Sequence, residues 1–271
     1  MKRSVRAERV HRVAVAVARL LDGRPMRARS SAAVFVHVPR TSGTSLIEEL
    51  GFERYSRPGQ LTDLFDGRTR WATFDHIPPH ALIATRLVAP QYFERAYVFA
   101  MVRDPYTWAA SMFDVLRQNG TLDDTVGFGA WLAGVQRMHE AERAAHPAPA
   151  ALAPPEADWM SGRFGNSWNM TWLKRAWPQH TWLEGVRIDH LGRFEERAAA
   201  VRAVCEALGV AVPTEAHSRR GVGPGPGELY DAEPGAAALV RALYAEDFDR
   251  FGYDPDRVPS ERVPSTGGSG G

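Results

Sequence analysis

The chain has 271 residues, 44% of them hydrophobic, which is enough to bury the core of one large α/β domain. Its 33 basic and 32 acidic side chains leave a formal net charge of +1, so no global field draws it to nucleic acid. The single cysteine, Cys205, excludes an internal disulfide and a cysteine-based zinc site.

Residues 1–30 are rich in arginine and read as a basic amphipathic helix or extension ahead of the domain. Within them the apolar run from Val13 to Leu21 is short and broken by Arg19, so neither a membrane anchor nor a signal peptide is expected, and the chain reads as cytoplasmic. One domain is expected over 31–258, with a Pro/Ala-rich insertion near 140–158. The Gly/Ser-rich residues 259–271 read as a flexible tail.

In the segment from Ala33 to Leu50, Val34, Phe35, Val36 and Val38 suit a strand buried on both faces, as in a parallel sheet. Pro39 stops the strand. Arg40, Thr41, Ser42, Gly43, Thr44 and Ser45 form a short loop, and Leu46, Ile47 and Leu50 resume at helical spacing with Glu48 and Glu49 facing outward. Such a strand, loop and helix can cradle a phosphate or sulfate. The first helical amides lack partners, the helix dipole is positive there, and Arg40 adds a permanent cation. The bland alternative is a hydroxyl-capped helix with no ligand. The expected fold is α/β, a P-loop-like three-layer sandwich with a central, mostly parallel sheet flanked by helices.

Trp71 to Phe74 reads as a short strand delivering Asp75 and His76 to a loop fixed by Pro78 and Pro79. His76, at a strand end where open α/β sheets place their sites, is the leading candidate site histidine, and His80 the second. Tyr97 to Val102 reads as another buried strand, Asp104 as an N-cap and Pro105 as the first turn of a helix. Arg103 then sits at the strand's carboxyl end, with Ser111 two helical turns on. Leu132 to His139 reads as helical, and His146 to Pro155 as linker. Trp159, Trp168, Trp172, Trp177 and Trp182 suit either base or sugar stacking or a core. Arg197 to Leu208 reads as a helix capped by Gly209. Arg219 and Arg220 lie in a Gly/Pro loop and suit either phosphate contact or a solvated turn. Leu239 to Tyr253 reads as terminal packing.

The run His37-Val38-Pro39-Arg40-Thr41-Ser42-Gly43-Thr44-Ser45-Leu46 resembles the 5′-phosphosulfate loop of sulfotransferases that use 3′-phosphoadenosine 5′-phosphosulfate (PAPS). It looks most like the carbohydrate-type branch that includes heparan sulfate 2-O-sulfotransferase and bacterial relatives. That branch usually has lysine where Arg40 stands; arginine keeps the charge and adds forked donors. The resemblance extends through Asp75-His76-Ile77-Pro78, Arg103-Asp104-Pro105 with Ser111, Trp168 to Leu173, Gly192 to Glu195, and Asp247 to Tyr253. It implies that Arg40 and residues 41 to 45 hold the 5′-phosphate and that Arg103 and Ser111 bind the 3′-phosphate. Arg219 and Arg220 would add contacts, and His76 would be the base. Trp108 stands where relatives often place a second arginine. The implied cofactor is PAPS, leaving adenosine 3′,5′-bisphosphate, with no metal. The implied partner is a small-molecule or glycan acceptor with a free hydroxyl; neither nucleic acid nor membrane is expected, and oligomeric state is not legible. Two rivals remain. A P-loop kinase or NTPase needs a GxxxxGK[ST] lysine loop that the chain lacks. A non-catalytic nucleotide-binding module needs only the anion site.

Overall fold

Two almost wholly apolar strands, β1 (Ala33–Val36) and β4 (Tyr97–Val102), run parallel at the centre of a sheet, with Val36 beside Ala100. The structure, a computed structural model, describes residues 32–54, 71–74, 76–84, 88–145, 176–213 and 225–259. The expected N-terminal extension, Asp75, residues 146–158 of the insertion, Trp159, Trp168, Trp172, Arg219, Arg220 and residues 260–271 lie outside these.

β3 (Trp71–Thr73) pairs with β1 on its other side, and β2 (Glu53–Arg54) and β5 (His190–Arg193) form the edges. The order is β2-β3-β1-β4-β5, and every pairing is parallel. Side chains alternate across the sheet with the strand period of two. Val34, Val36, Val98, Ala100 and Val102 enter one core, with Leu82 of α2 (Pro79–Ala84), Tyr92 and Phe93 of α3 (Pro90–Glu94), Trp177 and Trp182. Ala33, Phe35, Phe99 and Met101 enter the opposite core, with Leu46, Ile47 and Leu50 of α1 (Gly43–Leu50) and with Val201, Val204 and Cys205 of α6 (Arg197–Leu208). Both faces are therefore covered, as the continuous apolar strands require. This is the expected α/β three-layer, P-loop-like fold.

A further core joins α4 (Pro105–Gln118) and α5 (Phe128–Ala145) to α7 (Pro226–Ala232), α8 (Gly235–Leu243) and α9 (Ala245–Phe251). α5 is longer than its apolar spacing suggested, and residues 140 to 145 are part of it. Trp177 and Trp182 are core residues, 2% and 1% exposed, not stacking platforms. Trp177 lies flat against the buried His139 ring at 4.3 Å. Cys205 is buried, as its apolar neighbours imply. Among the described residues no helix is long and apolar enough to cross a membrane.

The strand order sets the position of the site. After β1 the chain builds β2 and β3 on one side, then crosses to place β4 and β5 on the other. The reversal opens a crevice between the carboxyl ends of β1 and β4, where open α/β sheets bind ligands.

Candidate functional site

The loop from His37 to Ser42 leaves β1 at this crevice and enters α1. Its backbone is strained: Arg40 and Ser42 both adopt left-handed φ, 64° and 70°. Such conformations cost on the order of 1 kcal/mol or more per residue and persist only where the surroundings impose them. Four contacts do so. Trp108 Nε1 donates to the Pro39 carbonyl at 2.7 Å, and Thr41 Oγ1 donates to the Val38 carbonyl at 2.8 Å. Arg103 Nη1 donates to the Arg40 carbonyl at 3.4 Å, and Arg197 Nε donates to Ser42 Oγ at 3.0 Å.

These contacts correct two expectations and explain a third. Thr41 is fully buried and donates its hydroxyl proton to the Val38 carbonyl, so that hydroxyl is already engaged within the loop. Glu49 does not face outward: its carboxylate pairs with Arg197 Nη2 at 2.6 Å, with side-chain exposures of 2% and 13%. Trp108 is a brace under the loop, bonded through its indole to the Pro39 carbonyl. Arg197 is a participant that sequence spacing could not reveal, because it lies 155 positions from Ser42.

At the mouth of α1 the first intrahelical bond runs from the Leu46 amide to the Ser42 carbonyl at 3.1 Å. The amides of Gly43, Thr44 and Ser45 precede it and have no partner inside the helix. The Thr44 side chain is half-buried, and Ser45 is buried. Gly43 lies over the His37 ring so closely that an added Cβ would fall inside the 3.0 Å that real Cβ atoms keep.

The β4 end supplies the facing wall. Arg103 follows the strand, donates through Nε to Thr107 Oγ1 at 2.9 Å and lies 4.3 Å over the Phe194 ring. Arg40 reaches across and donates through Nε to Ser111 Oγ at 3.0 Å. Arg40, Ser111 and Arg103, separated by up to 71 positions, thus meet in one place. Among the described residues neither guanidinium forms an ion pair with a carboxylate. Burial lowers the pKa of Arg40, and it lowers that of Arg103 to about 10. For Arg103 the charge of Glu195 opposes the shift and the like charge of Arg40 adds to it. Two desolvated cations held side by side are what an anion site requires.

His76 sits on the β3 side of the loop. Its Nδ1 donates to the His37 carbonyl at 3.1 Å, which fixes the proton on Nδ1 and leaves Nε2 as the acceptor. Its ring lies 4.1 Å from that of His37. His80 packs against Gly185 in the turn before β5, and burial alone pushes its pKa down to about 4, far from the working range of a base.

Asp104 caps α4 by accepting from the Thr107 amide at 3.0 Å. Burial raises its pKa from 3.8 to about 6, and the nearby Glu195 charge adds to the effect against the Thr107 bond. The folded chain therefore binds a proton there that the unfolded chain releases. That stabilisation is complete below pH 3.8 and lost as pH rises through about 6. Asp104→Asn removes the titration. Its stability relative to the parent should improve by about 1 kcal/mol between pH 5 and pH 8, read from urea unfolding at both pH values.

No family model matches the chain, and no curated protein does. Among solved structures, a crystal structure of a sulfotransferase from Alicyclobacillus acidocaldarius is similar over 80% of this chain and 96% of its own, at 16% identity and a TM-score of 0.39. At that distance the likeness carries no argument about activity.

Proposed function

We propose that the chain is a sulfotransferase that moves a sulfuryl group from PAPS to the hydroxyl of a small-molecule or glycan acceptor, with His76 as general base. The observation that carries this reading is the meeting of Arg40, Ser111 and Arg103 at the β1/β4 crevice, beside the first three amides of α1, which have no partner inside the helix. The donor nucleotide has two anionic ends, and the site offers two cationic ones. Arg40 with the amides of 43 to 45 suits the 5′ end, and Arg103 with Ser111 suits the 3′-phosphate.

When bound, PAPS supplies the sulfuryl group: the bond from sulfur to the phosphate oxygen breaks as the bond from the acceptor oxygen forms. The protein's share is positioning and charge. His76 Nε2 takes the acceptor's hydroxyl proton, with its ring held by the His37 carbonyl. Arg40 offsets the charge left on the phosphate oxygen.

The test is mass spectrometry of the protein incubated with PAPS and a panel of hydroxylated sugars and glycosides. The reading expects one sulfuryl group added to an acceptor, only when both PAPS and protein are present. Nucleotide binding without transfer to any acceptor would instead favour a non-catalytic module.

A further inference from the structure

The carboxyl end of β4 is held by two side-chain relays, one beginning in the first turn of α9 and the other just past that helix. In the first, Asp247 of α9, which has no exposed surface, accepts from the amides of Gln179 at 2.7 Å and His180 at 2.9 Å, and from His180 Nδ1 at 2.7 Å. Gln179, so fixed, grips Arg103 by both backbone groups. Its Oε1 accepts from the Arg103 amide at 2.9 Å, and its Nε2 donates to the Arg103 carbonyl at 2.7 Å. One side chain thus does for Arg103 what a neighbouring strand would do.

The second relay starts just past α9, after the turn at Gly252, where φ is 66°. The Tyr253 hydroxyl donates to Glu195 Oε2 at 2.8 Å, and Glu195 Oε1 accepts from the Asp104 amide at 2.9 Å. Glu195 follows Phe194, whose ring lies under the Arg103 guanidinium. The Tyr253 bond therefore steadies both the backbone after Arg103 and the surface beneath its side chain.

We propose that Gln179 with Asp247, and Glu195 with Tyr253, are positioning residues that aim the Arg103 guanidinium at the 3′-phosphate of the donor. The inference rests on the sulfotransferase reading above and gives the C-terminal Asp247-to-Tyr253 segment a task beyond packing. Gln179 and Glu195 hold the peptide groups from which the Arg103 side chain extends, and the Glu195 charge also acts on its guanidinium. A guanidinium misplaced by about 1 Å forfeits much of a bidentate phosphate contact.

The test compares two nucleotides in calorimetric titrations of Gln179→Met and Tyr253→Phe. Both substitutions keep side-chain volume, and melting curves confirm folding. Each variant should bind adenosine 3′,5′-bisphosphate about tenfold more weakly than the parent while holding adenosine 5′-monophosphate unchanged. Adding either substitution to Arg103→Met should cause no further loss, because the group being aimed is already gone. Equal loss for both nucleotides, additivity with Arg103→Met, or no loss at all would overturn the proposal. A parent protein that binds neither nucleotide would remove the underlying reading itself, and the inference with it.

Discussion

Replacing His76 with alanine should lower turnover by about 10²- to 10⁴-fold while leaving affinity for adenosine 3′,5′-bisphosphate essentially unchanged. The separation follows from where the residue sits. His76 is tied to the His37 carbonyl on the β3 side of the loop, whereas the cationic contacts lie between β1 and β4. With Nδ1 donating to the His37 carbonyl, Nε2 is the nitrogen assigned to take the acceptor's proton, and the expected loss falls on the chemical step. Single-turnover rates alongside calorimetry check it. Equal loss of binding and turnover would show that His76 shapes the nucleotide site instead of acting as base.

Gly43→Ala should damage both stability and nucleotide binding. The glycine is required by close approach, not by an unusual φ. A methyl group there would collide with Cδ2 and Nε2 of the His37 ring. That ring cannot easily step aside: it is 3% exposed, stacked 5.4 Å from Phe35, with the tilted His76 ring 4.1 Å away. Relief must come from lifting the loop, which unmakes the strained turn at Arg40 and Ser42. The expected cost is about 1–3 kcal/mol of stability, with at least a tenfold loss of nucleotide affinity. In a His37→Ala background the same substitution should cost little more, since the obstacle is gone. A single variant that binds as well as the parent would show that the loop does not close on His37.

The local parts of this site were legible in the sequence because local rules govern them. β4 spans Tyr97–Val102, the strand read from six unbroken apolar or aromatic residues, and Asp104-Pro105 starts α4 because an aspartate accepts an amide where proline needs none. Arg197–Leu208 followed from apolar spacing and its cap from a glycine after the last apolar residue, which the structure places at φ 63°. What stayed hidden depends on chain meeting chain. Nothing near Glu49 announces Arg197, and a helix-surface carboxylate with no local partner reads as solvated. Trp108 reads as a lost cation until its indole is seen under Pro39. Thr41 reads as a ligand hydroxyl until Val38 takes its proton. Gln179, in a segment with no clear periodicity, gives no signal at all that it clasps Arg103.

The central claim is that the ends of β1 and β4 grip one nucleotide through Arg40 and Arg103. Calorimetric titration of the metal-free protein with adenosine 3′,5′-bisphosphate, beside ATP with Mg²⁺, tests it most directly. The account predicts saturable binding of the bisphosphate that weakens on Arg40→Met and again on Arg103→Met. Silence toward the bisphosphate, or preference for ATP with Mg²⁺, would contradict it.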